Sequence, residues 1–159
     1  MKIVDYTMDI RQDLAKIFNK IGMRDVDANI LAELFILDRE ISVDELAEKL
    51  GYSISGVTSS LHRLMRVHLV LRSKNGRKYV YRSESSILSG LFHLIEDIKR
   101  YDIHNLLKNI NRKLSDYTDD RIKKLKNKVE EANEYLNTIL ILLSEYIESS
   151  KNPSIDEKV

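Results

Sequence analysis

The 159-residue chain has no cysteine and no tryptophan, and Pro153 is its single proline. Without thiols there is no disulfide framework, thiolate metal site or thiol redox sensor. Their absence suits a reducing cytoplasm, and a heat-stable protein would avoid them too. Apolar runs are only a few residues long, too short to span a bilayer. The opening MKIVDYTMDI has no apolar stretch behind its lysine, so it does not read as a signal peptide. We expect a cytoplasmic protein without membrane contact. Catalytic signatures are also missing: there is no GxSxG, P-loop, dinucleotide fingerprint or HExxH. The reading is a non-enzyme with no cofactor.

Acid is missing from one stretch alone. Met1 to Leu50 holds seven Lys/Arg and eleven Asp/Glu, whereas Gly51 to Ser83 holds seven Lys/Arg and no acid. The average acid density would place about five there. Solubility is normally achieved with mixed signs, so a segment of one sign points to a polyanionic partner.

Leu, Ile, Lys and Glu dominate what is present, a composition that favours helix. Ile10, Leu14, Ile17, Phe18 and Ile21 recur at helical spacing, predicting a helix over Met8 to Ile21 that stops at Gly22. A second helix is predicted over Val26 to Leu37, then an extended link at Ile41. Ser42-Val43-Asp44-Glu45 reads as a capping box, opening a short helix that ends at Gly51. Ser53 caps the next helix, Ile54 to Val67. Two short helices around a Gly-containing turn form a helix-turn-helix pattern. The period then falls to two. Leu69 to Arg72 and Lys78 to Arg82 read as strands, joined by Asn75-Gly76, a strong hairpin-turn signal. This hairpin would be a two-stranded wing.

From Ser86 onward the pattern is helical, in one region from Ile87 to about Leu114 and a second from near Thr118 to about Ser149. In the second, Ile122, Leu125, Val129, Ala132, Leu136, Ile139, Leu143 and Tyr146 alternate spacings of three and four, a heptad seam. We expect Ile122, Leu125, Val129, Leu136, Ile139 and Leu143 to form a dimer interface. The expected organisation is an N-terminal helix joining that interface (1–22), a winged-helix domain (23–85), a helical dimerisation region (86–150) and a flexible tail (151–159).

The recognition chemistry is expected on the helix Ile54 to Val67 and the wing Arg72 to Arg82. Val57, Leu61 and Leu64 would face inward, leaving Ser55, Ser59, His62, Arg63 and Arg66 outward and Thr58 to the side. Short hydroxyls at Ser53, Ser55 and Ser59, beside Gly56, let a helix end approach base edges, and the basic residues can hold phosphates. Lys74, Asn75, Arg77 and Lys78 at the hairpin tip would reach backbone or minor groove.

With Val43-Asp44-Glu45-Leu46-Ala47-Glu48-Lys49-Leu50-Gly51, Ser53, Val57, Leu61, Leu64, Leu69 and Val70 in this order, the segment Ile30 to Arg82 resembles the winged-helix domain of the MarR/GbsR superfamily of bacterial and archaeal regulators. The resemblance implies a mainly α fold, with a winged helix-turn-helix flanked by long dimerisation helices. It also implies a homodimeric regulator binding a pseudo-palindromic site on double-stranded DNA. Two departures stand out. His68 occupies the position before the Leu-Val pair where the family usually has Gly, and the wing SKNGRK is short and lacks the Asp-x-Arg element of MarR proper, resembling instead GbsR-, TrmB- or ArsR-type wings. Family members often bind small-molecule effectors in a crevice beside the dimer helices, for which Phe92, Tyr101 and Tyr117 are candidates. His93, Glu96 and His104 resemble part of an ArsR-type zinc site, but Leu91 and Leu107 stand where further ligands would be, so no metal is expected. Two other readings of the residues remain open: a winged-helix protein–protein adaptor and a sequence-neutral architectural DNA-binding protein.

Overall fold

A computed structural model describes residues 7–84 and 86–151. Of the tail expected over 151–159, Lys151 is helical and the remainder lies outside the described residues. The chain divides into two compact units, Met1–Ile87 and Leu88–Val159. No described helix is long and apolar enough to cross a membrane.

In the first unit, helix α1 (Met8–Lys20) packs through Ala15 and Phe18 on helix α2 (Asp25–Leu37). The apolar centre of α2, with Ile30, Leu31, Ala32 and Leu34 fully buried, forms the middle of the core. A two-residue strand β1 (Ile41–Ser42) leads into α3 (Val43–Leu50), followed by α4 (Ile54–Arg66), β2 (Val70–Asn75) and β3 (Lys78–Ser83). The link at Ile41 is thus a strand: Ile41 pairs with Tyr81 and Ser42 with Val80. The sheet has three antiparallel strands in the order β1-β3-β2, not two. Core residues Leu46, Val57, Leu61, Leu64, Val70 and Tyr81 join α3, α4 and the base of the hairpin to α2.

The capping box forms by half. The Ser42 hydroxyl accepts from the Glu45 N–H at 3.3 Å, but the Glu45 carboxylate is taken by the Arg39 guanidinium, a stronger donor than a backbone amide. The hairpin turn is also displaced by one residue from the predicted one. Asn75 pairs with Lys78 as the last rung, so the loop is Gly76-Arg77. Of these two, only Gly76 has positive φ, at 61°, which suits a two-residue loop with glycine first.

At the exit of α4 the Leu69 N–H bonds to the Leu64 carbonyl at 3.0 Å and the His68 N–H to the Met65 carbonyl at 3.1 Å. This is a Schellman ending, and the residue in its left-handed position is His68, φ 59°. The exit turn therefore keeps the shape that glycine would give it.

Helix α5 (Ile87–Asp97), which belongs to the second unit from Leu88 onward, continues through a π-helical segment (Ile98–Ile103) into α6 (His104–Asp116). The predicted single helix is thus continuous but wound differently at its centre. Helix α7 (Asp120–Lys151, 32 residues) runs along α6 and the π segment and is roughly 48 Å long.

Candidate nucleic-acid interface

Helix α4 begins with a local device. The Ser53 hydroxyl accepts from the Gly56 N–H at 3.1 Å and lies 3.3 Å from the Ser55 hydroxyl. A Cβ at position 56 would stand 3.0 Å from Ser53 Oγ, so glycine there leaves room for the cap. Ser53 is therefore occupied as N-cap. Thr58 donates its hydroxyl to the Ile54 carbonyl at 2.8 Å, another side chain committed to its own helix. Ser55, Ser59, His62 and Arg66 are exposed. Val57, Leu61 and Leu64 are buried, as their spacing requires.

Arg63 departs from its expected role. Its Nη2 lies 2.7 Å from Asp27 Oδ1 and its Nε 2.9 Å from Asp27 Oδ2. Asp27 also accepts from the fully buried Ser60 hydroxyl at 2.6 Å. One α2 carboxylate thus holds two α4 side chains. Burial alone would raise the Asp27 pKa, but the hydrogen bonds from Arg63 and Ser60, with the charges of Arg63 and Arg24, more than offset it and hold it below the ordinary value. The same contact raises the pKa of Arg63. The Arg63 guanidinium therefore ties α4 to α2 through Asp27.

A second buried carboxylate, Glu33, is 0% exposed. Arg11 of α1 donates to it at 2.9 Å, and Lys49 Nζ of α3 stands 3.2 Å away. The two acids of α2 anchor α1, α3 and α4 in one geometry. Sequence reasoning missed both, although signals were present. Ser60 lies three residues after Val57 and four before Leu64, hence on the inward face, and Glu33 interrupts the apolar run Ile30 to Leu37.

On the wing, Lys74, Asn75, Arg77 and Lys78 are all exposed. Among the described residues Lys74 and Arg77 have no ion-pair partner. Lys78 stands 3.7 Å from Asp44, with both side chains largely in solvent; such a pair is worth little and does not withdraw Lys78 from a stronger anion. Arg72 lies over the Tyr79 ring at 4.5 Å, a cation–π contact that holds its side chain against the sheet.

In the second unit the heptad seam divides into two faces. Val129 is buried and Ile122, Leu136 and Leu143 are half-buried, whereas Leu125, Ile139 and Tyr146 are exposed. A 3.5-residue repeat drifts by about 20° per heptad on a straight helix, and α7 turns one column of the seam towards its own unit. The seam is therefore not wholly available to a partner. Phe92 lines a small cleft with His93, Ser144 and Ile147, whereas Tyr101 and Tyr117 are exposed. His93 lies 3.8 Å from Glu96.

No protein-family model matches this sequence, and neither does any curated protein sequence. Among solved structures, a chain described as a transcriptional regulator overlays with a TM-score of 0.72 at 19% identity, covering 89% of this chain and 97% of that one. Two further chains overlay less well. A protein of the thermoacidophilic archaeon Sulfolobus tokodaii has a TM-score of 0.43 at 27% identity, covering 62% of this chain and 98% of its own. MepR, a transcription regulator of the Staphylococcus aureus multidrug efflux pump MepA, has 0.42 at 14%, covering 80% and 90%. The element order, the three-stranded sheet and the first of these overlays give the chain the fold of a winged helix-turn-helix protein.

Proposed function

We propose that this chain is a homodimeric transcription regulator that binds duplex DNA and has no catalytic role of its own. One observation carries the reading: within a single rigidly anchored unit, the outward face of α4 and the tip of the wing present hydroxyls and cations and no acid. Ser55 and Ser59 are the base-reading candidates near the helix N-terminus, the end that approaches base edges in helix-turn-helix proteins. His62, Arg66, Lys74, Asn75, Arg77 and Lys78 are the backbone contacts. Ser53, Gly56 and Thr58 shape the helix end, and Arg63 holds it in place.

Dimerisation is supported by how little the second unit buries. Its buried described residues are Gly90, Ile110 and Val129, while Leu91, Leu106, Leu125, Tyr135, Ile139, Leu142 and Tyr146 are exposed. Units of this size normally bury over half of their unfolded surface, so a second copy is the natural cover. The first unit also exposes apolar surface at Ile10 and Ile17 of α1 and at Ile21 just after it. Two copies related by a twofold axis would present two recognition helices to a pseudo-palindromic site.

The test is selection of bound sequences from random duplex DNA, followed by titration of Ser59→Ala against the selected site and its single-base variants. A base-reading Ser59 predicts a loss of discrimination of about 1–3 kcal/mol at one or two positions per half-site, with non-specific affinity unchanged. Wild-type protein that ranks no sequence above another would identify a sequence-neutral architectural protein instead. No affinity for duplex DNA would leave the adaptor reading.

A further inference from the structure

The long helix α7 divides its charge between its two halves. Five cations and no acid lie between Arg121 and Lys128, and five glutamates and no cation between Glu130 and Glu148. This order runs against the helix dipole, which favours acid near the N-terminus and base near the C-terminus. It also denies the helix most of the pairs that it could form with itself, since opposite charges must stand three or four residues apart. Among the described residues the two halves share one ion pair, Lys126–Glu130 at 3.8 Å, while Lys124, Lys128, Glu131, Glu134, Glu145 and Glu148 form none. Nor does the neighbouring helix neutralise the cationic half. Helix α6, packed along α7, adds Lys108, Arg112 and Lys113 against one acid, Asp116.

We propose that α7 lies antiparallel against α7 of a second copy of this chain, in a register that its charges select. The inference rests on the homodimer reading above and adds the direction and register of one helix pair. A twofold axis perpendicular to α7 sets the copies antiparallel, so the cationic half of each meets the glutamates of the other. A parallel pair would set cation on cation and acid on acid. The face for this contact is present. Leu125, Tyr135, Ile139, Leu142 and Tyr146 are exposed, and with Arg121, Lys128 and Ala132 they follow alternating steps of four and three along one side of the helix. One register satisfies size and charge together. It sets Leu125 against the partner's Leu142 and the small Ala132 against the partner's Tyr135. The Lys128 stem then lies along the partner's Ile139, and Arg121 over the ring of the partner's Tyr146. On the flank of this seam Lys124 meets the partner's Glu145, the kind of flanking pair that sets orientation in coiled coils. Sliding by one heptad would instead bring Glu131 against the partner's Glu145.

The chain has no cysteine of its own, so introduced thiols report the pairing directly. Leu125→Cys and Leu142→Cys chains, co-expressed, should form a covalent dimer under mild oxidation, seen on a non-reducing gel. Each variant alone should stay unlinked, because its own counterpart would stand roughly 25 Å away along the helix pair, beyond the reach of a disulfide. Both sites are exposed, and circular dichroism verifies that the helices persist. Charge provides a second measurement, read by sedimentation. Lys124→Glu alone should weaken self-association about tenfold, because each dimer holds the pair twice, and adding Glu145→Lys should restore it. Linkage of Leu142→Cys with itself in preference to the mixture would mean a parallel pair and overturn the proposal. A dimeric wild type whose mixed variants do not link, or whose Lys124→Glu loss is not recovered by Glu145→Lys, would overturn it too while leaving the homodimer reading in place. A wild type that sediments as a monomer would overturn both.

Discussion

Replacing Asp27 by Ala tests the anchoring of the recognition helix most directly. The substitution deletes a carboxylate that is 7% exposed and leaves the fully buried Ser60 hydroxyl without its acceptor. A buried donor without a partner costs about 1–3 kcal/mol. Breaking a wholly buried ion pair costs about 3–5 kcal/mol, but the Arg63 side chain is 33% exposed and water will solvate the freed guanidinium. We therefore expect a loss of about 2–4 kcal/mol. Asp27→Asn, which keeps an acceptor for Ser60, should lose less.

The pH dependence gives a second handle on the same contact. The folded pKa of Asp27 is lowered, so its contribution is fully present above the unfolded value, roughly pH 4. It is lost as pH falls through the lower folded value. The stability gap between wild type and Asp27→Asn should be constant from neutral pH to about pH 4 and shrink below it. Urea unfolding followed by circular dichroism measures both, and a double-mutant cycle with Arg63→Ala should give a coupling of at least about 1 kcal/mol. An Asp27→Ala protein as stable as wild type, or a gap unchanged down to about pH 2, would refute the reasoning.

Other outcomes follow from the same geometry. Ile139→Lys, on the exposed column of α7, should shift sedimentation towards monomer while keeping the helical signal, whereas Leu136→Lys, half-buried in its own unit, should also lower helicity. Arg77→Ala with Lys78→Ala should weaken binding to all DNA sequences alike and shallow the log–log salt dependence by roughly 0.9 for each phosphate that is no longer neutralised; an unchanged slope would mean that the wing does not touch the DNA backbone. His68→Gly should stabilise the first unit by about 0.5–1 kcal/mol, since the left-handed turn is already formed, and a drop in stability would show that the histidine side chain contributes more than its backbone strain costs.

Much of the architecture was legible in one dimension because it rests on local rules. The spacing of Val57, Leu61 and Leu64 fixed which side of α4 is buried, and the Ser53 cap and Gly51 stop fixed where the helices of the motif begin and end. The change of period after His68, together with a glycine near the tip, was enough to read the hairpin. The acid-free stretch Gly51 to Ser83 marked the basic surface before any coordinates. Position in space decided the rest. Whether Arg63 reaches outward or inward depends on Asp27, 36 residues away, and no local rule links them. Whether Glu45 completes its capping box depends on Arg39 competing for it. The short strand at Ile41 exists because β3 passes beside it. The division of the heptad seam follows from which side of α7 its own α6 and π segment cover. Local sequence sets periods, caps and turns, whereas the pairing of buried charges and the choice between intrachain and exposed faces are settled by contacts between residues far apart in the chain.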